Sequence, residues 1–122
     1  MEQVKRRRLS AKERMQIYKK YNGHCAYCGC EITYRGMQVD HMRPLRTGGT
    51  DTIDNMTPTC RSCNHYKATL DVEGFRKYLG GIPDRLARDN IPYQVGLRFG
   101  IITPDIEKVT FYYEEINEDI GE

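Results

Sequence analysis

At 122 residues, with 39% hydrophobic and 30% charged side chains, the chain has material for one domain with a modest core and a tail. No apolar run approaches the roughly 18–20 residues of a membrane span, and the basic N-terminus leads into no apolar stretch, which argues against a secretory signal and sets a cytoplasmic expectation. The net charge of +2 hides an asymmetry: residues 1–20 hold eight Lys/Arg against Glu2 and Glu13, whereas residues 101–122 hold Lys108 against seven acids.

In chain order, residues 1–9 read as a flexible basic arm. Its Lys5, Arg6, Arg7 and Arg8 would reward a polyanion through counterion release, although such a run taken alone is equally a solvated tail. Ser10 and Glu13 have the spacing of a capping box, which predicts a helix to about Tyr21 with Ile17, Tyr18 and Tyr21 on one face. Asn22-Gly23 ends it, and Cys25-x-x-Cys28 follows, with Gly29 permitting a tight turn. Residues 31–41 predict a hairpin: Ile32 to Tyr34, a turn at Arg35-Gly36, then Met37 to His41. Residues 44–52, with Pro44, Gly48 and Gly49, predict a loop, and Cys60-x-x-Cys63 opens a helix through Asn64, Tyr66 and Lys67. Hairpin, loop and helix in that order make a ββα unit.

Farther on, Asp71 is placed to cap a helix to about Leu79 that Gly80-Gly81 would close, and Pro83 suits the first turn of a short helix reaching Arg88. Residues 109–113 predict a strand, and 114–122 an acidic, frayed end. The expected organisation is an arm over 1–9, a core over 10–70, and a segment over 71–122 of helices, strand and tail packed on or next to that core.

Five cysteines is an odd count, and without a secretory signal two C-x-x-C pairs read as a metal site before a disulfide framework. Zn²⁺ takes four tetrahedral ligands. Cys25, Cys28, Cys60 and Cys63 would complete that sphere and leave no position for water, so the expected ion is structural. Iron and other thiolate-accepting ions would also fit, and Cys30 is left over.

The run Val39-Asp40-His41-x-x-Pro44, then Gly48-Gly49, Asp54-Asn55 and Cys60-x-x-Cys63-Asn64-x-x-Lys67, with Cys25-x-x-Cys28-Gly29 upstream, resembles the HNH endonuclease family in its zinc-stabilised form. The resemblance covers about residues 12–70. It implies an α+β fold, a small zinc-stapled ββα-metal, treble-clef-like domain with flanking helices. It also implies hydrolysis of DNA phosphodiester bonds with a divalent cation, in proteins often encoded by bacteria and phages. It assigns Asn55 to holding the loop opposite His41, and Asn64 to a motif position where many members carry His.

The residue chemistry supports the same assignments. Making a nucleophile from water needs a base that titrates near neutrality, and His41 supplies an imidazole. A cation such as Mg²⁺, Mn²⁺ or Ni²⁺ would neutralise developing phosphate charge, and one or two protein oxygens suffice to hold Mg²⁺. Asp40 and Asn64 offer those oxygens. Side chains of Asp40 and His41 point to opposite faces in a regular strand, so both serve one site only if the strand ends there, as Pro44 suggests. The candidate catalytic set is therefore His41, Asn55 and Asn64, with Arg43, Lys67 and the arm at phosphates. DNA is the expected partner, a membrane is not, and a homodimer or a phage or bacterial protein partner is left open. The alternative function is a non-cutting zinc-dependent DNA-binding module, which would have no use for Asp40, His41, Asn55 and Asn64 together. A third is a purely structural zinc module of a larger assembly.

Overall fold

The predicted capping box is formed. Ser10 Oγ accepts from the Glu13 amide and the Glu13 carboxylate accepts from the Ser10 amide, which starts α1 (Ala11–Lys19). Such a cap contributes about 0.5–2 kcal/mol. Asn22 and Gly23, both at positive φ, turn the chain away after the helix. This structure, a computed structural model, describes residues 8–105 and 107–120. Lys5, Arg6 and Arg7 of the expected arm lie outside the described residues, and Arg8 is exposed. The chain forms two compact units, one from residues up to 72 together with those from 110 onward, the other from 73–109.

The first unit is built on an antiparallel pair, β1 (Gln38–His41) and β2 (Met56–Thr59), with Gln38 opposite Thr59 and His41 opposite Met56. The expected hairpin over 31–41 is not formed. Glu31 makes an isolated bridge to His24, and the Ile32 amide donates to the Gly23 carbonyl at 2.8 Å, so this segment pairs back toward the first cysteine turn. The partner of 38–41 comes instead from beyond the loop. Pro58 in β2 is tolerated because a two-stranded sheet leaves each strand an open edge. On that edge the Pro58 carbonyl accepts from the Ala26 amide at 2.9 Å and ties sheet to cysteine turn. Ile17, Met37 and Met56 form the small core, flanked by Leu9, Tyr18, Ile32, Val39 and Ile53. Helix α2 (Arg61–Lys67) follows with Cys60 as its N-cap. Strand, loop, strand and helix thus make the ββα unit, with a different first strand from the one expected.

The second unit holds most of α3 (Val72–Gly80), then α4 (Ile82–Asp89) with Pro83 in its first turn, and α5 (Ile91–Arg98). Asn90 Oδ1 accepts from the Tyr93 amide at 2.8 Å and starts α5. The chain then returns to the first unit as α6 (Tyr112–Ile120), where the sequence predicts a strand and a frayed end. The aromatic run belongs to no sheet because it packs on the cysteine turn. The Tyr112 and Tyr113 amides donate to the carbonyls of Tyr27 and Ala26 at 3.0 and 2.9 Å, and Phe111 meets the Tyr27 ring edge-on at 5.1 Å. Among the described residues no helix is long and apolar enough to cross a membrane.

Candidate active site

Cys25 and Cys28 come from the turn before Gly29, whose φ of +80° and contact with the Tyr112 ring leave no room for a side chain. Cys60 and Cys63 come from the first turn of α2, where the Cys63 amide donates to Cys60 Sγ at 3.3 Å. The four sulfurs lie within 4.8 Å of one another, and Cys28 Sγ is 3.8 Å from Cys60 Sγ. Zn–S bonds of about 2.3 Å in a tetrahedron place sulfurs about 3.8 Å apart, so this donor set fits Zn²⁺. The crowding already separates the thiols: the Cys63 hydrogen bond pulls Cys25 down to about 4, while the same bond and burial push Cys63 well above the ordinary thiol range. Cys30, exposed beside them, is pushed up to about 12 by desolvation and its Cys28 neighbour.

A cleft of about 180 Å³ opens beside the sheet, lined by Asp40, His41, Pro44, Leu45, Arg46, Ala68 and Thr69. Asp40 and His41 reach it together because β1 stops at His41. Both side chains are buried, at 3% and 4% exposure. His41 Nε2 is 2.8 Å from Asp51 Oδ1, and its Nδ1 is buried with no partner among the described residues. A carboxylate only accepts, so Nε2 carries the proton and the ring's lone pair resides on Nδ1.

Asn55 closes the loop between the strands. Its Oδ1 accepts from the Arg43 amide, its Nδ2 donates to the carbonyls of Arg43 and Thr50, and its carbonyl accepts from the Met42 amide, all at 2.8–3.0 Å. Gly49 is required in the same loop because a Cβ there would collide with the Arg43 carbonyl.

Asp40 uses one carboxylate oxygen for protein contacts. Oδ2 accepts from the Tyr27 hydroxyl at 2.7 Å and pairs with Lys67 Nζ at 2.9 Å. Lys67, expected at phosphate, is instead fully buried and also donates to the His41 carbonyl at 3.2 Å. Its stem points from α2 into the unit and leaves it no reach to a ligand outside. Burial, with the Asp40 charge beside it, pushes the Tyr27 hydroxyl well above its ordinary range and keeps it a donor. Oδ1 has no protein partner among the described residues, which suits a hard divalent cation needing a single carboxylate oxygen.

Asn64 is half-buried on α2, four residues before Ala68, and does not line the cleft. His65 is exposed. Arg43 is exposed and its Nε donates to the Thr47 carbonyl. Arg46, Asp51 and Tyr27 were not singled out by sequence reasoning. Arg46 is the exposed cation on the cleft wall, Asp51 stands in a Gly/Thr loop, and Tyr27 lies between two cysteines where nothing marks it.

The sequence model of the HNH endonuclease family matches residues 25–69, the stretch that holds both cysteine pairs, the Asp40-His41 step and the stapled loop. A 55-residue stretch of the chain is 38% identical to the CRISPR-associated endonuclease Cas9 of Corynebacterium diphtheriae. That stretch is 44% of this chain and 5% of that protein. The solved Type II-C Cas9 enzyme from Actinomyces naeslundii is similar with a TM-score of 0.51 and 26% identity, over 56% of this chain and 8% of that one. The chain therefore spans a small fraction of the length of each of these relatives. The resemblance drawn from the motifs agrees with all three comparisons, and the small α+β fold with a four-cysteine cluster agrees with the family.

Proposed function

We propose that this chain is a metal-dependent DNA endonuclease that hydrolyses phosphodiester bonds, with His41 as general base. The observation that carries the reading is the His41 ring on the wall of the cleft beside Asp40, with Nε2 held by Asp51 and Nδ1 buried without a partner among the described residues. An imidazole so held can take a proton from water at Nδ1 without changing tautomer. A divalent cation, Mg²⁺ or Mn²⁺, would be held by Asp40 Oδ1, with Asn64 as its second candidate ligand, and would supply charge neutralisation at the phosphate. Asn55 acts on the base indirectly, by fixing residues 42–50 above the end of β1. Arg46 on the cleft wall and Arg43 near it are placed for phosphate oxygens, and Lys5, Arg6, Arg7 and Arg8 add sequence-independent attraction to the polyanion. The cysteine site is structural, and the location is cytoplasmic. With backbone contacts dominating, sequence preference is weak.

The test is nicking of supercoiled plasmid with Mg²⁺, Mn²⁺ or Ni²⁺ beside an EDTA control and His41→Ala. Metal-dependent nicking lost in the variant supports the reading. DNA binding without nicking under every cation would instead identify the non-cutting zinc-dependent module.

A further inference from the structure

Asp40 is not merely buried; it is gripped on one side. Its Oδ2 receives the Tyr27 hydroxyl at 2.7 Å and Lys67 Nζ at 2.9 Å, and neither donor has freedom to move away. Tyr27 is fixed by its place in the first cysteine turn and by Phe111 and Tyr113, whose rings meet it at 5.1 and 6.2 Å. Lys67 is wholly buried and is held a second time by the His41 carbonyl. Two donors, one on the cysteine turn and one on α2, thus occupy the same oxygen.

We propose that Tyr27 and Lys67 are positioning residues that confine Asp40 to ligation through Oδ1 alone, and so make the site select small octahedral divalent cations over Ca²⁺. This rests on the reading of Asp40 as a cation ligand. The physical reason is coordination geometry. Mg²⁺ and ions of similar demand accept single carboxylate oxygens at near-octahedral positions and keep several waters. Ca²⁺ takes six to eight oxygens and readily accepts both oxygens of one carboxylate. A carboxylate whose second oxygen is already used by two fixed donors cannot offer the bidentate mode. The grip also links the two metal functions, since Tyr27 keeps its place only while the cysteine turn is folded.

The experiment uses the full chain with its cysteine site loaded with zinc. Mn²⁺ binding is read from the electron paramagnetic resonance signal of the free ion, and Ca²⁺ affinity from its competition with Mn²⁺. In Tyr27→Phe the ratio of Ca²⁺ to Mn²⁺ affinity is expected to rise about tenfold, with one zinc per chain retained. Lys67→Met, which removes the other donor at similar length, is expected to move the ratio the same way. Because both probes are divalent, a change in local charge alters both affinities together and leaves the ratio alone. General loosening of the fold weakens both as well. A ratio unchanged in each zinc-retaining variant overturns the inference, and if Tyr27→Phe loses its zinc, Lys67→Met decides. Asp40→Ala separates the two levels. If it leaves Mn²⁺ binding intact, the reading of Asp40 as a ligand falls, and this inference with it. If it abolishes binding while the ratio stays fixed in the other variants, only the selectivity claim falls.

Discussion

The Asp51 carboxylate lies 2.8 Å from Nε2 of His41, and the opposite nitrogen of the same ring is buried with no partner among the described residues. Orientation and tautomer of the imidazole are therefore decided by a loop residue ten positions away. His41→Ala is expected to lower cleavage by at least about 10²–10⁴-fold, the usual contribution of a positioned general base. Asp51→Ala should cost less, about tenfold to a hundredfold, with DNA affinity retained. Nitrogen-15 spectra of the ring provide the check, because loss of Asp51 should return the proton to a mixture of Nδ1 and Nε2.

One amide side chain makes three of the hydrogen bonds that hold the loop. Asn55→Ala removes three side-chain hydrogen bonds and leaves the Arg43 amide and the Arg43 and Thr50 carbonyls to find water. Since these groups are exposed, the expected cost is about 1–3 kcal/mol in chemical denaturation, with cleavage falling further than stability. Gly49→Ala should reach a similar activity loss by another route, through the clash with the Arg43 carbonyl.

Removing the clamp acts on the whole first unit. Cys60 is both a sulfur of the four-cysteine cluster and the N-cap of α2. Cys60→Ser, or a strong zinc chelator on the wild type, should abolish zinc content and cost about 4 kcal/mol or more, in the range reserved for lost structural metals. Thermal melting that stayed unchanged after zinc removal would refute the structural assignment.

Tyr27 makes a prediction about alkaline pH. Its hydroxyl pKa in the folded state is raised from 10.0 by burial and by the Asp40 charge. The folded chain then holds this proton more tightly than the unfolded chain does. Its contribution to stability is complete below pH 10 and declines as pH rises above that value. Urea midpoints measured between pH 9 and 11 should fall more steeply for the wild type than for Tyr27→Phe.

Much of the site was legible because its parts are local. The capping box, both cysteine turns, the Asn55 position and the helix after Cys60 each declare themselves within a few residues. What escaped depends on distance in the chain. β2 was hidden by Pro58, which reads as a strand breaker, and by a partner lying across the whole loop. Ile32 looked like a hairpin strand because it is β-branched beside Thr33 and Tyr34, yet it packs on the core from an irregular segment. Phe111 and Tyr113 carry strand-like aromatic character, but their role is to enclose Tyr27. Lys67 followed the pattern of a surface cation until the Asp40 contact drew it inside.

The return of residues 110–113 to the cysteine turn has a consequence for synthesis. The Tyr27 ring gains its Phe111 and Tyr113 walls, and the carbonyls of Ala26 and Tyr27 gain their donors, only after the 37 residues of the second unit have been made. During translation the Asp40-His41 step therefore leaves the ribosome long before the segment that braces it. A chain interrupted between residues 73 and 109 would carry every motif residue and still lack the brace. On the proposed function, truncated products ending there are expected to show no cleavage, and full-length chains to show it.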